Sequence, residues 1–217
     1  MTVPAAFLSE LEHDALTELV NIGVSRSAVA LRNMAREHVV LSVPSVEVVT
    51  RSAGARLIRE RESEDLIAVR QDFEGAFSGR ALLIFPQATS LDLVRAVAGD
   101  ELSANEAEAL EVEALAETGN VVLNGCLATM ANMLQRPLNM SLPQVIRGDG
   151  RLFFELGEAP GEGGVVLFLY INFAISGRNI RGYIAMLMDL PSLETLKLLV
   201  NEFIARVMGS DDLGQLS

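Results

Sequence analysis

Two pairs of residues in this sequence have the types and the spacing for chemistry at a helix surface. Glu18 and Asn21 stand three apart, and Glu117 and Asn120 repeat the pair 99 residues later. Residues three apart on a helix share a face, so each pair sets a carboxylate beside a carboxamide. A carboxylate can hold a cationic group of a partner. A carboxamide can accept from a water through its oxygen while its nitrogen donates to a developing anion. A single Glu-x-x-Asn on an amphipathic helix is ordinarily a solvated face. Two copies, each followed by 22 residues and then a proline (Pro44 and Pro143), need a further reason. Function would supply it, and so would descent from a duplicated ancestor.

The elements that must position these residues are legible from periodicity. From Leu11 to Met34 the apolar residues recur with a helical period, and Ser9 with Glu12 forms a capping box. Asp14, Glu18, Asn21 and Ser25 make a polar stripe opposite Leu16, Leu19, Val20, Gly23, Ala30 and Met34. Val39 to Thr50 predicts extended chain, with Pro44 at a strand end, edge or bulge. Residues 51–65 are charged and predict a solvated connection. Leu66–Phe77 and Gly79–Phe85 predict two strands about a Ser78-Gly79 turn, followed by a helix over Thr89–Ala98 stopped at Gly99.

The second half opens the same way. Ser103 and Glu106 cap a helix predicted to run to about Gln135, with Glu113, Glu117, Asn120 and Asn124 as its polar stripe. Leu115, Val122, Cys126, Met130 and Met133 lie opposite. Extended chain through Pro143, a glycine-rich connection over 148–164, strands at Val165–Ser176 and Arg178–Asp189, and a helix over Ser192–Met208 follow. At an offset of 99, 8 of the 30 positions from Ala15 to Pro44 are identical in the two halves. Typical residue frequencies give roughly two. The expectation is one domain over 1–217, built of two repeats at about 9–99 and 103–208, with a flexible polar tail at 209–217. Its class is α/β (α+β), a pseudo-twofold, mostly antiparallel sheet with strands from both halves. The two motif helices would lie on one face with their Glu/Asn stripes outward.

Composition excludes other classes. The chain of 217 residues is 50% hydrophobic and 21% charged, which excludes disorder over most of its length. Its charge of −12 repels phosphate backbones and argues against nucleic acid as a partner. Cys126 is the single cysteine, and His13 and His38 are far apart, so neither a disulfide nor a zinc site is expected. No basic segment followed by an apolar stretch marks the N-terminus, and the apolar run Val165–Ile175 is too short to span a bilayer as a helix. A cytoplasmic protein without membrane insertion is the expectation.

Asp14-x3-Glu18-x2-Asn21-x22-Pro44 resembles the motif of the CheC family of chemotaxis phosphatases, and Glu113-x3-Glu117-x2-Asn120-x22-Pro143 resembles its second copy. The text Glu18-Leu19-Val20-Asn21-Ile22-Gly23-Val24 is close to that family's wording, and the likeness in length and duplication covers nearly the whole chain. Related CheX proteins carry one copy, and FliY embeds a similar domain in a longer chain. The resemblance implies hydrolysis of the aspartyl phosphate of a CheY-like response regulator. The regulator would bring the phosphoryl group, Mg²⁺ and a lysine, so the resemblance asks for no metal or cofactor of the chain's own. Glu18 and Glu117 would anchor that lysine, and Asn21 and Asn120 would orient the water, as glutamine does in GTPases. Asp14 and Glu113 would widen the docking patch. CheD is a second partner the family implies. The rival is a non-catalytic adaptor that binds a regulator, CheD or a flagellar switch component. Gly119 beside Asn120, against Val20 beside Asn21, predicts closer approach of a partner at the second pair. Pro44 and Pro143 are expected to shape the strand after each helix, and Cys126 to lie in the core.

Overall fold

The computed structural model describes residues 7–35, 39–62, 65–99, 101–155, 164–175 and 178–214. The elements are α1 (Glu10–Ala35), β1 (Val39–Thr50), α2 (Arg51–Arg61), β2 (Leu66–Gly75), β3 (Gly79–Pro86), α3 (Gln87–Ala98) and α4 (Ala104–Met133). β4 (Leu138–Met140), β5 (Gln144–Gly148), α5 (Gly150–Glu155), β6 (Gly164–Ile175), β7 (Arg178–Asp189) and α6 (Leu190–Gly214) complete the order. Both expected capping boxes start their helices. Ser9 and Glu12 exchange backbone-to-side-chain bonds of 2.7 and 3.3 Å, and Ser103 and Glu106 bonds of 2.9 and 3.4 Å. Gly99 ends α3 with φ of 131°, a backbone region that favours glycine.

All seven strands form one antiparallel sheet in the order β1-β6-β7-β3-β2-β4, with β5 also on β2. β3 and β7 meet at the middle, and each half's opening strand crosses to the other half. β1 pairs with β6, while β4 and β5 pair with β2. Registers correspond: Ser45 faces Tyr170 and Gln144 faces Arg70, while Leu41 faces Phe173 and Met140 faces Phe73. Position 71 therefore corresponds to position 171, and 69 to 169. The prolines fall where the ladder breaks. The β1–β6 register shifts between Ser42 and Ser45, around Pro44, and Pro143 stands between β4 and β5.

Period-two alternation sends the strand residues to two cores. Ile67, Val69, Phe73, Leu83, Leu167, Leu169 and Ile184 pack with α1, α3, α4 and α6 on one face. Leu66, Ala68, Leu82, Phe168 and Tyr183 pack on the other face with Ala55, Ile58, Phe153 and Phe154. The expected solvated connection at 51–65 is thus corrected. Thr50 caps α2 by accepting from Ala53 N, and Gly54, Ala55 and Ile58 form a narrow buried stripe under a charged exterior. Within the glycine-rich connection, α5 likewise buries Phe153 and Phe154 against that core. α6 runs beyond Met208 to Gly214.

Candidate functional site

α1 and α4 lie against each other on the same face of the sheet. Their crossing is set by residues without bulk. A Cβ on Gly23 would stand 2.9 Å from Cys126 Cα, and one on Gly125 2.2 Å from Ser27 Oγ. The buried Ser27 hydroxyl shares its proton between Gly23 O at 3.0 Å and Val122 O at 3.1 Å, which ties the helices together. Each carries its Glu/Asn pair on the side away from this contact. Glu18 and Glu117 are exposed, and Asn21 and Asn120 are half-buried.

The second pair has a built environment. Gln71 on β2 is 1% exposed and points to the face that α4 covers, among apolar residues of the same parity. Its Nε2 donates to Ser141 O at 2.9 Å and to Asn120 Oδ1 at 3.2 Å. Asn124 Nδ2 donates to the same Oδ1 at 2.6 Å. Ser141 is fixed in turn, because its N donates to Asp72 O and its Oγ accepts from Asp72 N, both at 2.9 Å. Asp72 is part of the same anchorage. Burial opposes its ionisation, but hydrogen bonds from Arg70 and Arg80 prevail and hold its carboxyl below the usual range.

The first pair lacks these partners. Among the described residues no side chain hydrogen-bonds Asn21, and the position equivalent to Gln71 is Ile171, an apolar residue 1% exposed. Asp14 is 82% exposed, 3.8 Å from His13 Nδ1, and Glu113 is exposed too. His13 Nε2 hydrogen-bonds Val46 O at 2.9 Å, which ties α1 to β1.

Two expectations about surroundings are corrected. Val20 is fully buried, so it adds no bulk at the surface of the first site. Gly119 is buried too: a Cβ there would stand 2.4 Å from Val69 Cγ1. The glycine lets α4 settle on β2; it does not open the surface to a partner. At the equivalent positions around the first site, Val20 and Leu169 are both bulkier. Cys126 is core, as expected, and complete burial pushes its thiol up to about 12. Native protein is therefore expected to resist a thiol reagent at pH 8 and to react fully once unfolded; rapid labelling of the native form would contradict this burial. His38 lies outside the described residues.

Sequence reasoning missed Gln71 and a second matched pair, Glu12 and Glu111, which lie 99 apart just before the aligned window. Both are nearly buried. Glu12 accepts from Asn201 of α6 at 2.8 Å, and Glu111 accepts from Ser90 of α3 at 2.5 Å and pairs with Arg147. Among the described residues no group of three His, Cys, Asp or Glu could hold a metal, and no helix is long and apolar enough to cross a membrane.

The family model for the chemotaxis phosphatase CheX matches residues 67–159, a span that holds Gln71, Glu117 and Asn120. The flagellar motor switch phosphatase FliY of Bacillus subtilis (strain 168) is 29% identical over 142 residues, 64% of this chain and 36% of FliY. The chain thus spans little more than a third of that relative. The crystal structure of Thermotoga maritima FliY is similar with a TM-score of 0.68 and 15% identity, over 90% of this chain and 98% of that one. The FliM middle domain from H. pylori has a TM-score of 0.60 and 10% identity, over 88% and 99%. At such identities the two structures speak to the fold alone.

Proposed function

We propose that this chain belongs to the CheC, CheX and FliY family and is a phosphatase of a phosphorylated CheY-like response regulator, a reading supported by the CheX match over residues 67–159 and the 29% identity to FliY. The reading rests on the two Glu-x-x-Asn pairs, each offered on the free side of a long helix, with the second carboxamide held by neighbouring amides. Water attacks the phosphorus of the aspartyl phosphate, the bond to the aspartyl oxygen breaks, and inorganic phosphate and the carboxylate leave. The regulator contributes Mg²⁺ and a lysine beside the phosphorylated aspartate. Glu18 and Glu117 pair with that lysine and hold the complex, which favours association between oppositely charged surfaces. Asn21 and Asn120 orient the water, a task realised chiefly in the transition state. Asp14 and Glu113 extend the acidic docking patch.

The test is to mix phosphorylated regulator with catalytic amounts of this protein and follow the acyl phosphate. Loss several-fold faster than the regulator's own rate is expected. Changing Glu18→Lys and Glu117→Lys together should raise the regulator concentration needed for half-maximal rate. Binding without any acceleration would support a second reading. In that reading the chain is a docking protein for a regulator, CheD or a flagellar switch component.

A further inference from the structure

We propose that Gln71 is a positioning residue of the second site: it holds Asn120 by its carboxamide oxygen, so that Asn120 presents its nitrogen to the reaction. The proposal deepens the phosphatase reading and rests on it. Which end of each amide is which follows from the bonds. Ser141 O is a backbone carbonyl and can only accept, so the Gln71 atom 2.9 Å from it is the Nε2 donor. The Asn120 atom 3.2 Å from that same nitrogen must then be the acceptor, Oδ1, which also receives Asn124 Nδ2 at 2.6 Å. Two donors fill the two lone pairs of a carboxamide oxygen. What remains for a water or a phosphoryl oxygen is Nδ2, which has no partner among the described residues.

The device is rigid because of where it sits. Gln71 is buried at 1% exposure on a strand flanked on both sides, so its side chain is ordered when the protein folds and not when substrate arrives. Gly119 makes it possible, since a side chain there would collide with Val69 and lift α4 from the strand that carries Gln71. The first site has neither part: at the corresponding positions Ile171 replaces Gln71, and Val20 and Leu169 replace Gly119 and Val69. Asn21 must therefore be ordered on each encounter, at an entropic cost that Asn120 has already met in folding. The second site is the better organised of the two.

The experiment measures regulator dephosphorylation in two backgrounds. With Asn21→Ala, turnover runs through the second pair, and Gln71→Leu is expected to lower the maximal rate roughly tenfold while half-saturation stays unchanged. With Asn120→Ala, the same substitution has nothing left to act on. Asn120→Asp keeps the oxygen and removes the nitrogen, so in the first background it should be as inactive as Asn120→Ala. The fold should accept leucine, because Gln71 Oε1 is itself buried without a partner and leucine removes it. If melting shows otherwise, Asn124→Ala withdraws the other donor and should act in the same background only. Full activity of Gln71→Leu or of Asn120→Asp in the first background, an inactive Asn21→Ala protein, or equal losses in both backgrounds would overturn the proposal. Wild-type turnover by the double Asn21→Ala/Asn120→Ala protein would instead remove the phosphatase reading of the pairs. An active Asn21→Ala protein indifferent to Gln71 leaves that reading standing.

Discussion

With Asn21 and Asn120 both changed to alanine, acceleration of regulator dephosphorylation is expected to fall on the order of 100-fold, about 2.7 kcal/mol of transition-state stabilisation. Each single change leaves one pair in place, so the large loss requires both. Binding should survive. The acids Glu18 and Glu117 are untouched, and alanine is well tolerated on a helix. A loss in maximal rate at unchanged half-saturation separates positioning of the water from attachment of the partner. Titrating phosphorylated regulator against both proteins by calorimetry, alongside the rate measurement, gives the two quantities independently. A double variant that turns over at the wild-type rate would exclude the water-positioning role for both carboxamides. One that no longer binds would move them into the docking surface.

The largest effect on stability is expected at the crossing of α1 and α4. Gly23→Val puts a branched side chain where even a Cβ would stand 2.9 Å from Cys126 Cα and 3.0 Å from its carbonyl oxygen. Both are backbone atoms, so no rotamer change relieves the collision and the helices must separate. Ser27 then loses its reach to Val122 O, and the apolar faces of both helices are pulled apart. Overpacking of this kind costs about 3 kcal/mol, which for a domain of this size lowers Tm by roughly 6–12 °C. Gly209→Ala is the contrasting substitution, because a Cβ there meets nothing within 4 Å and the position lies within α6. It should leave Tm unchanged or raise it slightly, since alanine favours helix over glycine by about 1 kcal/mol. Equal melting of Gly23→Val and wild type would mean that the two helices do not meet so closely.

What could be seen in the sequence followed the strength of each local pattern. α1 and α4 were legible because an apolar stripe and a capping box agreed at each start. Pro44 was legible because a proline inside a valine-rich run has few places to go. α2 was hidden by its charges: only Gly54, Ala55 and Ile58 turn inward, few apolar residues in a segment that carries four arginines. α5 is a single short helix in a glycine-rich stretch, where its two phenylalanines gave the available signal. Gly119 shows the limit of reading a glycine from its neighbours in sequence. Adjacent residues on a helix face different ways, so the glycine next to the half-buried Asn120 spoke of the sheet beneath it. Gln71 did leave a trace. It occupies the parity of Ile67, Val69 and Phe73, where an apolar residue belongs, and a polar residue in an apolar row asks which polar group it meets. Answering requires knowing that α4 lies above β2, a contact between residues 49 apart that no local pattern contains.

The crossing of β1, β4 and β5 into the opposite half has a consequence for synthesis on the ribosome. The edge of β2 stays uncovered until residue 148 has emerged, and β1 has no strand to pair with until β6 follows at residues 164–175. During that interval an apolar hairpin of β2 and β3 is formed by local contacts while its flanks offer unpaired backbone groups. Neither half can close its sheet unaided, so a chain cut between Gly99 and Ser103 would yield two sticky fragments, not two small domains. Pairings such as Val39 with Ile175 join distant parts of the chain, which makes folding slow for a protein of this length. The nascent first half is thus a natural client for a chaperone, and two such fragments made together have the means to find each other and complete one sheet.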